Sequence, residues 1–113
     1  AKMRRSENIY VEKCKDDIGK NLRKEIKIGE IASKIGTSRS YLSHKFSEIE
    51  GITIQNYILA ERLEHAANLL KYSDYPISAI AEYFKFSSQS YFGKCFKERY
   101  EITPKEYRAI NTK

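Results

Sequence analysis

The sequence has few of the residues that cross-link or interrupt a protein fold. It contains two cysteines, two prolines and five glycines among 113 residues. Two cysteines without a Cys/His cluster indicate neither a disulfide framework nor a structural zinc site, and a chain of this length can bury a core without either. The scarcity of proline argues against a Pro-rich linker. The length predicts a single domain and excludes a multidomain enzyme.

Long apolar runs are also missing. No segment approaches the roughly eighteen consecutive apolar residues of a membrane span, and no charged-then-apolar leader opens the chain. We therefore expect a soluble, cytoplasmic protein without a membrane partner, in which Cys14 and Cys95 are reduced. The chain starts with Ala1 instead of methionine, which predicts a fragment of a longer protein whose sensor or effector part lies elsewhere.

The sequence shows no residue pattern typical of a metal, phosphate-binding or catalytic site. His44 and His65 lie on different predicted helices with no cysteine or acid at ligand spacing, so no metal site is expected. No glycine-rich phosphate loop and no pair of carboxylates with a plausible pocket is present, and we expect no catalytic residue and no cofactor. Cys14 and Cys95 lie on or beside apolar stripes, which predicts core residues and not nucleophiles.

The sequence does have an excess of positive charge. Lysine and arginine number 21 against 15 acidic residues, a formal net charge of +6. An excess of this sign favours an anionic partner, although many basic proteins bind no nucleic acid. The segments 37–47 and 85–99 carry net charges of +2 and +3.

Apolar residues recur at helical spacing almost throughout, and no window alternates in the manner of a half-buried strand. We predict an all-α domain of seven helices. Two short helices are expected around 28–35 and 77–84, and a longer one over about 53–71. The first helix should begin near Ser6 and bury one stripe, composed of Val11, Cys14, Ile18 and Leu22. The long helix should bury Tyr57, Ile58, Leu63, Ala66, Ala67 and Leu70.

The last helix has the clearest start signal. Thr103, Pro104 and Glu106 stand at the cap, first and third positions of a capping box.

An internal repeat identifies the supersecondary unit. The pattern I-x-x-I-A begins at Ile28 and again at Ile77, 49 positions later, and S-x-S-Y-(L/F)-x-x-x-F begins at Ser38 and again at Ser88, 50 positions later. One unit therefore occurs twice, with one extra residue in the second turn. Each copy has a short helix, a tight turn and a longer helix that starts at a serine, which is a helix-turn-helix.

Local residue types support this interpretation. Ala32 and Ala81 suit close packing between the two helices of each copy, Gly36 can take a positive φ in the first turn, and Thr37 and Ser38 are capping candidates. Nine tyrosines raise the possibility of stacking on single-stranded RNA. Four of them occupy repeat-equivalent positions, which favours packing roles instead: Tyr41, Tyr57, Tyr91 and Tyr107.

The second helix of each copy should present one free face. With Leu42, Phe46 and Ile49 inward in the first copy and Phe92 and Phe96 inward in the second, the outward residues are Ser40, His44, Ser47, Ser90, Lys94 and Lys97, flanked by Arg39, Ser43, Gln89 and Gly93. A base-reading helix needs such donors and acceptors without many carboxylates. Gln89 could bind adenine through two hydrogen bonds, and Lys94 could donate to guanine.

These residues resemble the DNA-binding domain of the AraC/XylS family of bacterial transcription regulators, over roughly residues 8–109. The second copy matches the family patterns I-x-x-I-A, G-F-x-x-x-S-Y-F, F-K and G-x-T-P-x-x-Y-R, and the long helix matches R-L-x-x-A-x-x-L-L. Lys85 and Glu101 depart from these patterns, because glycine is usual at both positions. If Lys85 takes a positive φ, the cost is about 1 kcal/mol or more.

The resemblance implies a two-lobed domain whose third and sixth helices enter adjacent major grooves, in a regulator that most often activates transcription. Carried onto this sequence, the base-contact candidates are Ser40, Ser43, His44, Gln89, Ser90, Gly93 and Lys94. The candidates for contact with the DNA backbone are Thr37, Ser38, Arg39, Ser47, Ser87, Ser88 and Lys97.

The expected partner is double-stranded DNA with two half-sites about one helical turn apart. A linker helix of about 19 residues spans roughly 28 Å, comparable with the spacing of about 34 Å between successive major grooves. RNA polymerase is expected as a partner of the full-length protein, and this fragment is expected to be monomeric.

The predicted organisation is a linker or cloning remnant over 1–7, an AraC-type domain over 8–109 and a tail over 110–113. Within the domain, lobe one covers about 8–52, the linker helix about 53–71 and lobe two about 72–109. A second interpretation stays open from the residues alone: a helical module that docks a protein, whose basic face is merely solvated.

Overall fold

The computed structural model describes residues 5–111, and these form seven α-helices with no β-strand among them. The helices are α1 (Arg5–Lys20), α2 (Ile28–Ile35), α3 (Arg39–Glu50), α4 (Ile54–Tyr72), α5 (Ile77–Tyr83), α6 (Gln89–Tyr100) and α7 (Pro104–Asn111). The all-α prediction of seven helices is confirmed. Residues 1–4 of the predicted linker and 112–113 of the predicted tail lie outside the described residues. None of the described helices combines the length and apolar character of a membrane span.

The chain divides into two compact units, residues 1–59 and 60–113, and the division falls inside α4. In the first unit α1, α2 and α3 contact one another in pairs. In the second unit α6 contacts both α5 and α7. Each unit therefore contains one short helix and one longer helix of the sequence repeat, supported by a further helix of its own.

The core of the first unit begins with the predicted stripe, since Val11, Cys14, Ile18 and Leu22 are all buried. The prediction was wrong in placing Leu22 on the helix, because α1 ends at Lys20. The Asn21 amide donates to the backbone carbonyl of Asp17 at 2.7 Å, and the Asn21 backbone N–H bonds to Ile18. These two hydrogen bonds close the last turn of the helix, and Leu22 is buried from the turn that follows.

Cys14 has the role predicted from its position on the stripe. It is fully buried, and Cys95 is 6% exposed. Burial, together with the nearby charge of Asp17, raises the pKa of the Cys14 thiol to about 11. The thiol therefore stays protonated at neutral pH and packs as a small apolar group.

The second unit has an aromatic core in which Phe96 is the central residue. Phe96 is fully buried, and its ring centroid lies 5.8 Å from that of Phe92, 4.5 Å from that of Tyr100 and 5.3 Å from that of Tyr107. Phe86 extends the cluster from the preceding turn, 4.9 Å from Phe92. Four aromatic residues from α6 and α7 and one from the turn thus hold this unit together.

The four repeated tyrosines all pack on aromatic rings, but at different depths. Tyr107 packs edge-to-face on Phe96, and Tyr57 packs in the same way on Phe46 with a centroid distance of 5.3 Å. The prediction of packing roles is confirmed for these two. Tyr41 and Tyr91 also contact an aromatic ring of their own unit, with centroid distances of 6.1 Å to Tyr10 and 6.2 Å to Phe86. They pack near the surface, since they are 38% and 47% exposed. Each precedes a buried residue of its helix, and one helical step turns a side chain about 100° away from the core.

The two turns have the same backbone geometry despite their different sequences. Gly36 has a φ of 97°, and Lys85, its repeat-equivalent, has a φ of 67°. The next residue in each turn, Thr37 or Phe86, donates its N–H to the carbonyl of Ala32 or Ala81 at 2.9 Å. A lysine therefore adopts the left-handed conformation that glycine adopts in the first copy.

Glu101, at the end of α6, is a second residue with a side chain that takes the left-handed backbone conformation. Its φ is 69°, and that of Gly51 at the equivalent end of α3 is 79°.

We expect Lys85→Gly and Glu101→Gly each to raise the free energy of unfolding by about 0.5–1 kcal/mol. The left-handed region costs a residue with a side chain about 1–2 kcal/mol, and the freedom of glycine in the unfolded chain offsets part of that gain. Urea denaturation measures the difference in the free energy of unfolding. Gly36→Ala is the opposite control, because it places a side chain at a left-handed position. Glycine variants that are less stable than the wild type would show that Lys85 and Glu101 are not strained.

The predicted capping box at the start of α7 is present. The Glu106 N–H donates to Thr103 Oγ1 at 3.1 Å, and the Thr103 N–H donates to the Glu106 carboxylate at 2.8 Å. The backbone hydrogen bond from Thr103 holds the pKa of Glu106 below its usual value. The cap therefore stabilises the domain above the ordinary pKa of glutamate and loses this contribution as the pH falls through the lowered pKa.

Candidate nucleic-acid interface

Both longer helices of the repeat begin at a serine cap. Ser38 Oγ accepts a hydrogen bond from the Tyr41 N–H at 3.1 Å, and Ser88 Oγ accepts one from the Tyr91 N–H at 3.0 Å. Of the two capping candidates in the first turn, Ser38 caps α3 and the prediction for Thr37 was wrong. Each capping hydroxyl still has its own hydrogen to donate, and both helix N-termini carry the partial positive charge that favours an anion.

On α3 the predicted outward face is largely exposed. Arg39, Ser40 and His44 are exposed, and Ser43 and Ser47 are half-buried. Leu42 and Phe46 point into the core as predicted. Ile49 was predicted to join them but is only half-buried, so the apolar stripe of α3 is narrower than the sequence indicates.

An ionic cluster was missed on the same face of α3. His44 Nε2 lies 3.3 Å from Oε2 of Glu48, and Lys45 Nζ lies 3.2 Å from Oε1 of the same carboxylate. The spacing i, i+4 between His44 and Glu48 is the signal that could have revealed it. The net charge of +2 in the segment 37–47 is therefore partly offset, because Lys45 is paired with an acid.

On α6 the predicted outward residues are also accessible. Gln89, Ser90, Lys94 and Lys97 are exposed, as is Ser87 in the turn before the helix. The opposite side is occupied by the buried residues Phe92, Cys95 and Phe96. Lys94 forms no ion pair with any residue in the described range 5–111. Its ammonium group is thus available to an external acceptor.

Gly93 occupies the middle of α6, where glycine costs about 1 kcal/mol relative to alanine. A Cβ atom added at Gly93 would meet no heavy atom within 4 Å. Packing inside the protein therefore does not require glycine here. A position on the exposed face without a side chain does allow close approach by another molecule.

Tyr91 lies beside this face and was not among the predicted contact residues. A hydrogen bond with Cys95 raises the pKa of the Tyr91 phenol. The phenol is therefore neutral at physiological pH and can donate a hydrogen bond. Its position one turn after the Ser88 cap is the local signal that places it next to the first turn of α6.

The exposed faces of α3 and α6 can donate hydrogen bonds and attract negative charge. Among residues 5–111 no group of three His, Cys, Asp or Glu side chains is placed to hold a metal ion. Arg39 on α3 and Lys94 and Lys97 on α6 supply exposed cations. Each face also carries polar side chains, with hydroxyl and imidazole groups on α3 and amide and hydroxyl groups on α6, and such groups can read base edges in a DNA groove.

The fold and the two faces define a helix-turn-helix protein that carries the motif twice. The family described as "Helix-turn-helix domain" matches residues 31–110. The chain belongs to this family in its AraC-type form, whose members are DNA-binding transcription regulators and not enzymes. The resemblance to the AraC/XylS family is thereby confirmed.

Similar proteins agree with this assignment. The xylose operon regulatory protein of Escherichia coli (strain K12) is 40% identical over 89 residues, which cover 79% of this chain and 23% of that protein. A transcriptional regulator from Chromobacterium violaceum with an AraC-type DNA-binding domain has a TM-score of 0.89 at 25% identity, over 97% of this chain and 98% of that one. The DNA-binding domain of AdpA, solved with a target DNA, shares the fold with a TM-score of 0.81 at 21% identity, over 88% and 90% of the chains. The match therefore covers less than a quarter of the curated relative.

Proposed function

We propose that this domain binds duplex DNA sequence-specifically, with α3 and α6 each entering a major groove. The observation that carries the proposal is the repetition of one exposed face. Each helix starts at a serine cap and presents polar and cationic side chains over its first turns, with aromatic and aliphatic residues buried behind them. Helix-turn-helix proteins read bases with this part of the second helix.

The proposed base contacts are Ser40, Ser43, His44, Gln89, Ser90, Gly93 and Lys94. Gln89 and Lys94 have the clearest chemistry, because a glutamine amide pairs with adenine N6 and N7 and a lysine ammonium donates to guanine O6 and N7. The proposed contacts with the DNA backbone are Thr37, Ser38, Arg39, Ser47, Ser87, Ser88 and Lys97. Hydroxyl, backbone and cationic donors of this kind set the register of the protein on the duplex.

The same proposal extends to the DNA site and the cellular setting. Two half-sites about one helical turn apart suit a monomeric domain that carries two copies of the motif, here bounded at residues 8 and 109. In the full-length protein we expect an activator that acts with RNA polymerase in the cytoplasm and associates with the nucleoid when bound. A companion domain would receive the signal, and the xylose operon regulatory protein of Escherichia coli has room for one, since the matched residues cover only 23% of it.

Duplexes selected from a randomised library by the 113-residue chain provide the first test. We expect a recurring sequence bound in the nanomolar to micromolar range at moderate salt, with affinity falling as salt rises. A scrambled duplex of the same composition is the control. If no sequence is enriched and every duplex competes equally at all salt concentrations, the proposal fails and a protein-docking module becomes the better interpretation.

Substitutions of two lysines on α6 distinguish a base contact from a contact with the DNA backbone. Lys94→Ala should cost about 1–3 kcal/mol at one base pair and relax the preference there, because it removes a base contact. Lys97→Ala should weaken binding to all sequences alike and reduce the slope of log K against log salt by about 1. Fluorescence anisotropy with single-base variants of the selected duplex measures both effects. Equal losses on every sequence for Lys94→Ala would show that Lys94 binds only the backbone.

A further inference from the structure

We infer that the gap at Gly93, the space that a side chain would fill on α6, admits the C5-methyl group of a thymine. The inference rests on the proposed function and deepens it, because it names a base and a chemical group that the second helix-turn-helix recognises. Gly93 then sets specificity by the shape that it leaves free, while its neighbours on α6 supply the hydrogen bonds.

Neither the backbone nor the packing of the described residues requires glycine at this position. Gly93 lies in the middle of α6, and it is not one of the glycines with a positive φ, which are Gly36 and Gly51. A Cβ atom at Gly93 would meet no heavy atom within 4 Å. Glycine is the least favourable residue after proline in a helix interior. Its presence therefore weakens α6 without a benefit inside the protein, which points to a molecule outside it.

Three exposed polar side chains surround the gap. Residues three and four positions apart are neighbours on a helix surface, so Gln89, Ser90 and Lys97 lie around Gly93, and all three are exposed. None of their side chains comes within 4 Å of the position of the missing Cβ atom. The outward face of α6 therefore contains a space for one small group, bordered by an amide, a hydroxyl and an ammonium.

The gap itself offers no hydrogen bond. In the middle of a helix the backbone N–H and C=O groups bond to residues four positions away, so those of Gly93 are used within α6. A phosphate oxygen or a polar base atom placed there would lose water without a replacement partner. The methyl group of thymine is the projecting group of the major groove that needs no hydrogen bond. It is therefore the group that the gap accommodates at the lowest cost.

The neighbour one turn earlier on α6 favours the same base pair. The amide of Gln89 has the donor and acceptor that pair with adenine N6 and N7, and an adenine of a duplex is paired with thymine. An A·T pair read by Gln89, or one beside it, thus brings a methyl group to this part of the helix.

The first copy of the motif provides an internal comparison. The repeat-equivalent of Gly93 is Ser43 on α3, 50 positions earlier, as for Ser38 and Ser88. A hydroxymethyl group occupies the space that is empty on α6. We therefore expect the methyl group to matter only in the half-site that α6 reads.

The test uses the 113-residue chain and a duplex that the wild type selects from a randomised library. Each thymine of the duplex is replaced in turn by deoxyuridine, which lacks only the methyl group. At one position the wild type should bind about fourfold more weakly, the value of one buried methyl group. Gly93→Ala should bind the parent duplex about tenfold more weakly than the wild type, because the alanine methyl group takes the space of the thymine methyl group.

The two methyl groups should also depend on each other. With deoxyuridine at that one position, Gly93→Ala should bind within about threefold of the wild type, since only one methyl group then needs the space. Deoxyuridine at any other thymine should leave the tenfold loss of about the same size.

Stability measurements separate this effect from damage to the fold. Gly93→Ala should have a higher urea midpoint than the wild type, because alanine favours the helix and meets no neighbour there. Gly19→Ala is the matched control. Gly19 is an exposed residue of α1 whose added Cβ atom also meets no heavy atom within 4 Å. This substitution should raise the urea midpoint without changing the affinity for DNA.

Several results would overturn the inference. These are a wild type that is indifferent to every deoxyuridine, a Gly93→Ala variant that binds the parent duplex as tightly as the wild type, an equal loss with and without the thymine methyl group, and a lower urea midpoint for Gly93→Ala. A wild type that enriches no sequence would instead overturn the proposed function.

Discussion

Phe96→Ala should destabilise the second unit by about 3–5 kcal/mol, the cost of removing a buried phenyl ring. Phe96 is fully buried and contacts three aromatic rings, those of Phe92, Tyr100 and Tyr107. These neighbours come from α6 and α7, whose backbones cannot close around the cavity without shifting both helices. The substitution therefore loses both the transfer free energy and the dispersion contacts of the cavity wall.

Urea denaturation followed by circular dichroism measures this effect, and hydrogen exchange locates it. Exchange should accelerate throughout residues 60–113 more than in the rest of the chain. Phe96→Leu should lose less, because it refills part of the volume. Tyr72→Ala is the surface control, since Tyr72 is 75% exposed and should change stability by only about 0.5 kcal/mol. A loss below about 1.5 kcal/mol for Phe96→Ala would contradict the central position of this ring.

Arg108→Met should destabilise the second unit by about 2–3 kcal/mol, because hydrogen bonds from a charged donor are among the strongest in proteins. Arg108 Nε donates to the carbonyl of Leu70 at 3.1 Å, and its Nη2 donates to the carbonyl of Ser73 at 3.2 Å. Both carbonyls lie at or just beyond the end of α4, where a helix leaves its last acceptors unpaired. One guanidinium thus satisfies two of them and fastens α7 to this end of α4.

The substitution by lysine refines this prediction. Arg108→Lys keeps the charge near the helix C-terminus, which is favourable there, but its single nitrogen cannot reproduce the forked geometry. It should recover less than half of the loss. Lys105→Met, on the same helix at an exposed position, controls for removal of a cation. If Arg108→Met and Lys105→Met cost the same in urea denaturation, the two carbonyl contacts do not contribute to stability.

Much of the fold could be predicted because its signals are local. The capping box of Thr103 and Glu106 needs only the spacing of two side chains along one turn, and it formed as predicted. The repeated turns were also recognisable, since one short pattern recurs about 50 positions apart. A positive φ at Lys85 was considered because glycine is usual at this position in the family pattern, and Lys85 does have a φ of 67°.

The errors occurred where neighbouring structure decides between local alternatives. Leu22 continues the apolar spacing of α1, yet the Asn21 amide ends the helix before it. Tyr41 and Tyr91 repeat as regularly as Tyr57 and Tyr107, but the first pair packs near the surface and only the second pair packs on fully buried phenylalanines. A repeat shows that two positions are equivalent and does not show which way their side chains face.

For the candidate interface, the two helices, their caps and most of their outward residues could be predicted from residue spacing, because helical periodicity relates every position to the buried stripe. The folded structure was needed to show that Arg108 donates hydrogen bonds to the carbonyls of Leu70 and Ser73 at the end of α4. Whether a hydrogen bond forms depends on differences of a few tenths of an ångström in the donor–acceptor distance and on the angle at the hydrogen. Such distances are set by side-chain conformations and by packing between helices, which residue spacing does not contain.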